Sequence, residues 1–152
     1  MVKLQEAENQ IVTDYEVYEQ RPHDADLLGA AIDVHEARLG RAPRLVAADA
    51  GFYSARNEAL AKANGVKRLC IPNRSTKSRK REQKKRWFRQ GQKWRTGCEG
   101  RISVAKRRHG LNRCRYKGDA GMKRWVGLRV IADNLINIAQ ALDSPPAFCA
   151  GK

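Results

Sequence analysis

Apolar positions along this chain switch between a period of two and a period near 3.6. From Gln10 to Glu19, Ile11, Thr13, Tyr15 and Val17 alternate with Val12, Asp14, Glu16 and Tyr18, which predicts a strand. Val2 to Glu8 reads as a strand before it, with a turn around Asn9. A hairpin without a neighbour is marginal in water, so this one needs a further packing partner. Asp14 and Glu16 fall on its more polar face and are expected to point to solvent. Arg21-Pro22-His23-Asp24 breaks the pattern. Asp24 is a candidate N-cap for a helix to about Leu39, with Leu27, Leu28, Ala31, Val34 and Leu39 as a rough apolar face and Gly40 closing it.

Leu45 to Ala48 is a short apolar run that reads as a buried strand delivering Asp49 at its C-terminal end. Open α/β sheets place ligand-binding groups at that end of their strands. Ser54 is the better cap for the next helix, Ala55 to Asn64, which leaves Asp49 without a structural role. Val66 to Ile71 is a second β run, ended by Pro72. Strand, helix and strand make a βαβ unit with a parallel pair.

Residues 73–93 are polar and basic, and the first half is expected to be mobile when free. Trp87 and Phe88 interrupt the charge, either to stack on a nucleic acid or to anchor the segment to the core. Trp94 to Gly110 holds five Lys or Arg and one acid, Glu99. On a helix, Arg95, Glu99, Ile102 and Lys106 share one face. Ordinary i,i+4 pairing accounts for Glu99 there, and so does a carboxylate holding a metal while its neighbours hold phosphate. After a loop with three glycines, Lys123 to Leu142 is the clearest helix. Leu128, Ile131, Ala132, Leu135, Ile138, Ala139 and Leu142 recur on it at helical spacing and are expected in the core, with Asp133 outside the stripe and exposed. Residues 143–152 read as a frayed tail after one domain, 1–142.

Charge narrows the function. The chain carries 31 Lys and Arg against 16 Asp and Glu, a formal +15. Residues 67–117 hold 20 of those cations and only Glu82 and Glu99, so this segment is +18 and the remainder −3. Concentrated positive charge is the footprint of a polyanion partner, nucleic acid by default. A membrane surface fits less well, because the segment shows no basic helix with a broad apolar face. No apolar run reaches membrane-spanning length, and the N-terminus has no apolar signal region. Four cysteines without a CxxC pair suggest reduced thiols and a cytoplasmic location. A zinc site from Cys98, His109 and Cys114 fits no standard ligand spacing.

Antiparallel strands, a helix, a strand ending in Asp49, a helix, a strand, a basic insertion and a Glu99 helix together resemble the RNase H-like mixed sheet flanked by helices. More specifically, the chain resembles the DDE transposases of bacterial insertion sequences. Asp49-Ala50-Gly51-Phe52-Tyr53 is similar to that family's block around its second acidic residue. Arg95-x3-Glu99-x6-Lys106 is similar to its signature around the third, with Gln92 where the signature has Tyr. The resemblance implies metal-dependent DNA cleavage and strand transfer, with Mg²⁺ or Mn²⁺ held by Asp49 and Glu99 as catalytic carboxylates. It implies contacts to double-stranded DNA at insertion-sequence ends through Arg95, Arg101, Lys106, Arg107 and Arg108, joined by Lys84, Lys85, Arg86 and Trp87 of the insertion. The family's first Asp would precede the hairpin, so the chain is expected to be N-terminally truncated and inactive alone. As a partner it would take a second copy or a full-length transposase. The alternative is a non-catalytic basic nucleic-acid-binding protein.

Overall fold

A computed structural model describes residues 1–73, 77–108, 110–111 and 113–143, without the side chains of Ser78, Arg79 and Arg101. The zinc candidate His109 and the expected tail from 144 on lie outside the described residues. Two compact units form. One is Gln20–Arg101, and the other joins Val2–Glu19 to the described residues from Ile102 onward.

The first unit is built on the expected strand–helix–strand. After a 3-10 turn at Asp24–Asp26 comes α1 (Leu27–Leu39), ended by Gly40 in the left-handed region (φ 67°). The expected cap is shifted: the His23 side chain accepts from Ala25 N, so Asp24 begins the 3-10 turn and not the α-helix. Strand β3 (Leu45–Ala47) leads through a second 3-10 turn, Ala50–Phe52, into α2 (Ala55–Ala63) and then β4 (Arg68–Cys70). As predicted, Ser54 Oγ caps α2 by accepting from Asn57 N at 3.0 Å. Strands β3 and β4 are parallel, in the register Leu45↔Arg68, Val46↔Leu69 and Ala47↔Cys70. Leu28 and Ile32 of α1, Ala61 of α2, Val66 and Ile71 form the buried core, with Val46, Phe52, Leu60 and Leu69 packed against it.

Two helices occupy the described part of the basic segment from Lys77 on. Lys77–Gln83 is helical (α3), and α4 runs unbroken from Arg86 to Arg108. Lys, Arg, Glu and Gln are good helix formers, and Phe88 gives α4 an anchor, buried to 4% exposure. Gly91, Gly97 and Gly100 do not interrupt the helix.

The second unit contains the hairpin and the last helix. Strands β1 (Val2–Glu6) and β2 (Val12–Val17) are antiparallel and shorter than expected. The turn consumes more residues than one asparagine: Asn9 and Gln10 both take positive φ, and a register shift follows Gln5. The partner the hairpin needs is α5 (Gly118–Asp143). Asn134 donates to Val12 O (2.9 Å) and accepts from Val12 N (2.8 Å), so one amide side chain satisfies both backbone groups of a strand residue. Asn137 adds a bond to Gln10 O at 3.0 Å. Gly127 lies so close to Tyr15 of β2 that a Cβ there would collide with its hydroxyl.

Further expectations change in this unit. Helix α5 starts at Gly118, five residues early, and its first turns bring Gly121 so close to Tyr116 that a Cβ there would clash. The apolar stripe on α5 is not core among the described residues: Leu128, Ile131, Leu135, Ile138 and Leu142 are 45–80% exposed. The helix instead buries Trp125, Val126 and Gly127 and turns its asparagines to the hairpin, leaving Asp133 half-buried. Asp14 does not face solvent. It is 6% exposed, with Lys3 Nζ 3.6 Å away, while Glu16 draws the same ammonium to 2.5 Å.

Where a single mixed sheet was expected, the described residues form two separate two-stranded sheets, one antiparallel and one parallel. With three residues each, β3 and β4 form only a short ladder. The architecture is mixed α/β with small sheets and helices.

Candidate active site

Asp49 leaves β3 where the backbone turns, and its carbonyl accepts from Phe52 N at 3.1 Å to start the 3-10 turn. The carboxylate takes no part in capping. The turn is fixed from below by Asn57, a buried polar residue of α2. Its amide donates to Phe52 O at 2.9 Å and to Ala25 O at 2.7 Å, tying the Asp49 turn to the Asp24 turn. Gly51 completes the fit, since a Cβ there would approach Asp24 Oδ2 to 2.8 Å.

Helix α4 is fixed against the end of the parallel pair. Gln92 donates from Nε2 to Cys70 O at 2.9 Å. Cys70, fully buried, donates from Sγ to Phe88 O at 3.1 Å, and burial pushes its thiol pKa up, so it stays a packing group. Gly91 lets the helix approach this closely. One turn beyond Gln92, Arg95 projects from α4 with 23% of its side chain exposed.

Arg95 receives both predicted carboxylates. Its Nη2 donates to Asp49 Oδ2 in an ion pair, and its Nη1 donates to Glu99 Oε1 at 2.8 Å. One guanidinium therefore spans a carboxylate from the end of β3 and one from α4. Asp49 and Glu99 are each more than half exposed, so their remaining lone pairs are open to water or a cation. Surface ion pairs of this kind contribute about 0–1 kcal/mol each, little for stability.

The donor chemistry fits a hard divalent cation. Carboxylate oxygens are what Mg²⁺ and Mn²⁺ prefer, and Mg²⁺ is commonly held by one or two carboxylates with water in the remaining positions. No group of three potential ligands occurs among the described residues. Cys98 and Cys114 each donate to a nearby carbonyl, of Trp94 and Tyr116.

The other candidates fall on two stretches. Lys84, Lys85 and Arg86 are exposed where α3 gives way to α4, with Glu82 4.0 Å from Lys85. Trp87 is half-buried, edge-on to Phe88, with the Arg68 guanidinium 5.5 Å from its ring centre. Phe88 is thus the anchor, and Trp87 keeps part of its surface accessible. Lys106, Arg107 and Arg108 are exposed in the last turn of α4, and Arg101 is on the same helix. In the second unit, Lys106 also borders a cleft of about 230 Å³ with Val2, Leu4, Ile102 and Leu111.

Sequence reasoning did not single out Asn57 or Gly91, and it noted Gln92 only as a departure from the family signature. The signal for Asn57 was its place three residues after the Ser54 cap, where a backbone clamp has reach to the preceding turn. Gln92 and Gly91 carried no signal apart from the strand they meet.

No helix among the described residues is long and apolar enough to cross a membrane. Neither curated proteins nor solved structures give a match to this chain. A family model described as Transposase DDE domain matches residues 61–139, a stretch that includes Arg95, Glu99 and Lys106 and begins after Asp49. Covering more than half of the 152 residues, that match shows that the chain belongs to the transposase DDE domain family.

Proposed function

We propose that residues 1–142 are part of an RNase H-like catalytic domain that cuts and joins DNA ends with divalent metal ions, as an insertion-sequence transposase does. The observation that carries this reading is the convergence of Asp49 and Glu99 on Arg95 from two separate elements. Glu99 reaches Arg95 from one turn away on the same helix, and Asp49 reaches it from the end of a strand 46 residues earlier in the chain. Asp49 and Glu99 would hold Mg²⁺ or Mn²⁺, which supplies activation of the attacking oxygen and stabilisation of the leaving one in an in-line displacement. Arg95 and Lys106 contact phosphate, and Arg101, Arg107, Arg108, Lys84, Lys85 and Arg86 track the duplex backbone. Trp87 adds apolar contact to a base or sugar.

Two carboxylates are too few to fix a metal pair, and misplacement of reacting atoms costs large factors in rate. The chain by itself therefore binds DNA but does not transfer strands. Joined, fused or in trans, to a transposase segment that supplies a further Asp, it cleaves labelled insertion-sequence ends in Mg²⁺. Asp49→Ala and Glu99→Ala each remove that cleavage while leaving DNA affinity within about twofold. Cleavage and joining by the chain alone overturns the two-carboxylate site. Unchanged cleavage in both variants removes the catalytic assignment of Asp49 and Glu99, and no cleavage in any combination favours the alternative, a non-catalytic basic nucleic-acid-binding protein. A second copy of the chain, or a full-length transposase, is the protein partner in this reading.

A further inference from the structure

Arg95 is paired with both of the carboxylates that would hold a divalent cation, Asp49 and Glu99. It bonds to one oxygen of each carboxylate and leaves the cluster with one net negative charge. A guanidinium has no lone pair to offer a metal and does not lose its proton near neutral pH. It can therefore share these carboxylates with a divalent cation only against direct charge repulsion. Both pairs are more than half exposed on the carboxylate side, so water and salt weaken them and the bridge is easily opened. The helix that carries Arg95 is held independently by Gln92, Cys70 and Phe88, so opening the bridge does not release α4.

We propose that Arg95 is a built-in counter-cation: it neutralises Asp49 and Glu99 in the metal-free protein, competes with the divalent ion, and is freed for a phosphodiester oxygen when the ion enters. This inference rests on the reading of Asp49 and Glu99 as divalent-cation ligands and adds a switch to it. An arginine that leaves two carboxylates takes its charge to the nearest anion, which at such a site is the DNA backbone. Metal loading and DNA engagement would then be coupled through one side chain.

The test is Mn²⁺ binding, followed by the paramagnetic resonance of the free ion, on the full chain and on Arg95→Gln, Asp49→Asn and Glu99→Gln. Arg95→Gln is expected to bind Mn²⁺ about tenfold more tightly than the unaltered chain, the size a screened repulsion at an exposed site gives. Arg95→Lys keeps a charge but cannot bridge both carboxylates, and should shift affinity the same way by less. Adding Mg²⁺ should move the Arg95 Nε–Hε resonance over the concentration range in which the ion binds. Asp49→Asn and Glu99→Gln should each lose the site. If Arg95→Gln and Arg95→Lys bind Mn²⁺ equally or more weakly while the two carboxylate variants still lose it, the counter-cation is overturned and the metal reading stands. If neither the unaltered chain nor Arg95→Gln binds Mn²⁺, the metal reading falls and the switch falls with it.

Discussion

Gly91 faces Cys70 with no room for a methyl group: a Cβ there would lie 2.7 Å from Sγ and 3.2 Å from the Cys70 Cβ. Gly91→Ala should destabilise the protein by about 1–3 kcal/mol through overpacking. Cys70→Ala in the same chain should recover part of that loss, because the atom in closest conflict is gone. Urea denaturation of the two single variants and the double variant measures the coupling, and strict additivity would contradict the contact. A second residue-scale prediction concerns Glu16. The Lys3 ammonium, then the Tyr18 hydroxyl, hold its carboxyl below the usual value of 4.5. Its contribution to stability is present above pH 4.5, where the unfolded carboxyl is also ionised, and is lost as pH falls through the lower folded value. Lys3→Met should raise the Glu16 midpoint in a carbon-detected NMR titration more than Tyr18→Phe does. Equal effects would mean the ammonium is not the leading cause. The Tyr18 hydroxyl is pushed up to about 12 by burial and by Glu16, so Tyr18→Phe should also flatten any stability loss between pH 10 and 12.

At the scale of elements, α5 separates apolar spacing from burial. Trp125 is 7% exposed, donates to Gly110 O at 3.1 Å and lies under the Arg129 guanidinium at 3.9 Å. Leu135, on the same helix, is 62% exposed. Trp125→Ala should cost about 3–5 kcal/mol, whereas Leu135→Ser should change stability by no more than about 0.5 kcal/mol. Matched chemical denaturation of the two variants checks this, and a Leu135→Ser loss as large as that of Trp125→Ala would place the stripe in the core. The helical period of these residues was legible, but periodicity says only that apolar side chains share a face. The face that meets the hairpin carries Asn134 and Asn137, whose amides pair with backbone groups at Val12 and Gln10.

At the scale of the molecule, the +18 segment should dominate DNA affinity. Binding to duplex DNA should weaken steeply with salt as counterions are released, with no marked sequence preference. Replacing Lys84, Lys85 and Arg86 together by Gln should lower the slope of log affinity against log salt by up to about three, in proportion to the phosphates those side chains touch. An affinity unchanged between low and physiological salt would refute the electrostatic reading. Sequence alone determined the parallel βαβ unit, the Ser54 cap, the Gly40 stop and the i,i+4 spacing of Arg95 and Glu99, because each depends on residues close together in the chain. It also singled out Asp49, since a carboxylate ending an apolar run with no cap to make is conspicuous. The burial of Asp14, the exposure of the α5 stripe and the bridge from Arg95 to Asp49 were decided only by tertiary structure. Arg95 and Asp49 are 46 residues apart, and nothing local to either specifies the other. Their meeting depends on Asn57 fixing one turn and on Gln92 and Gly91 seating one helix, contacts that exist only once the chain has folded.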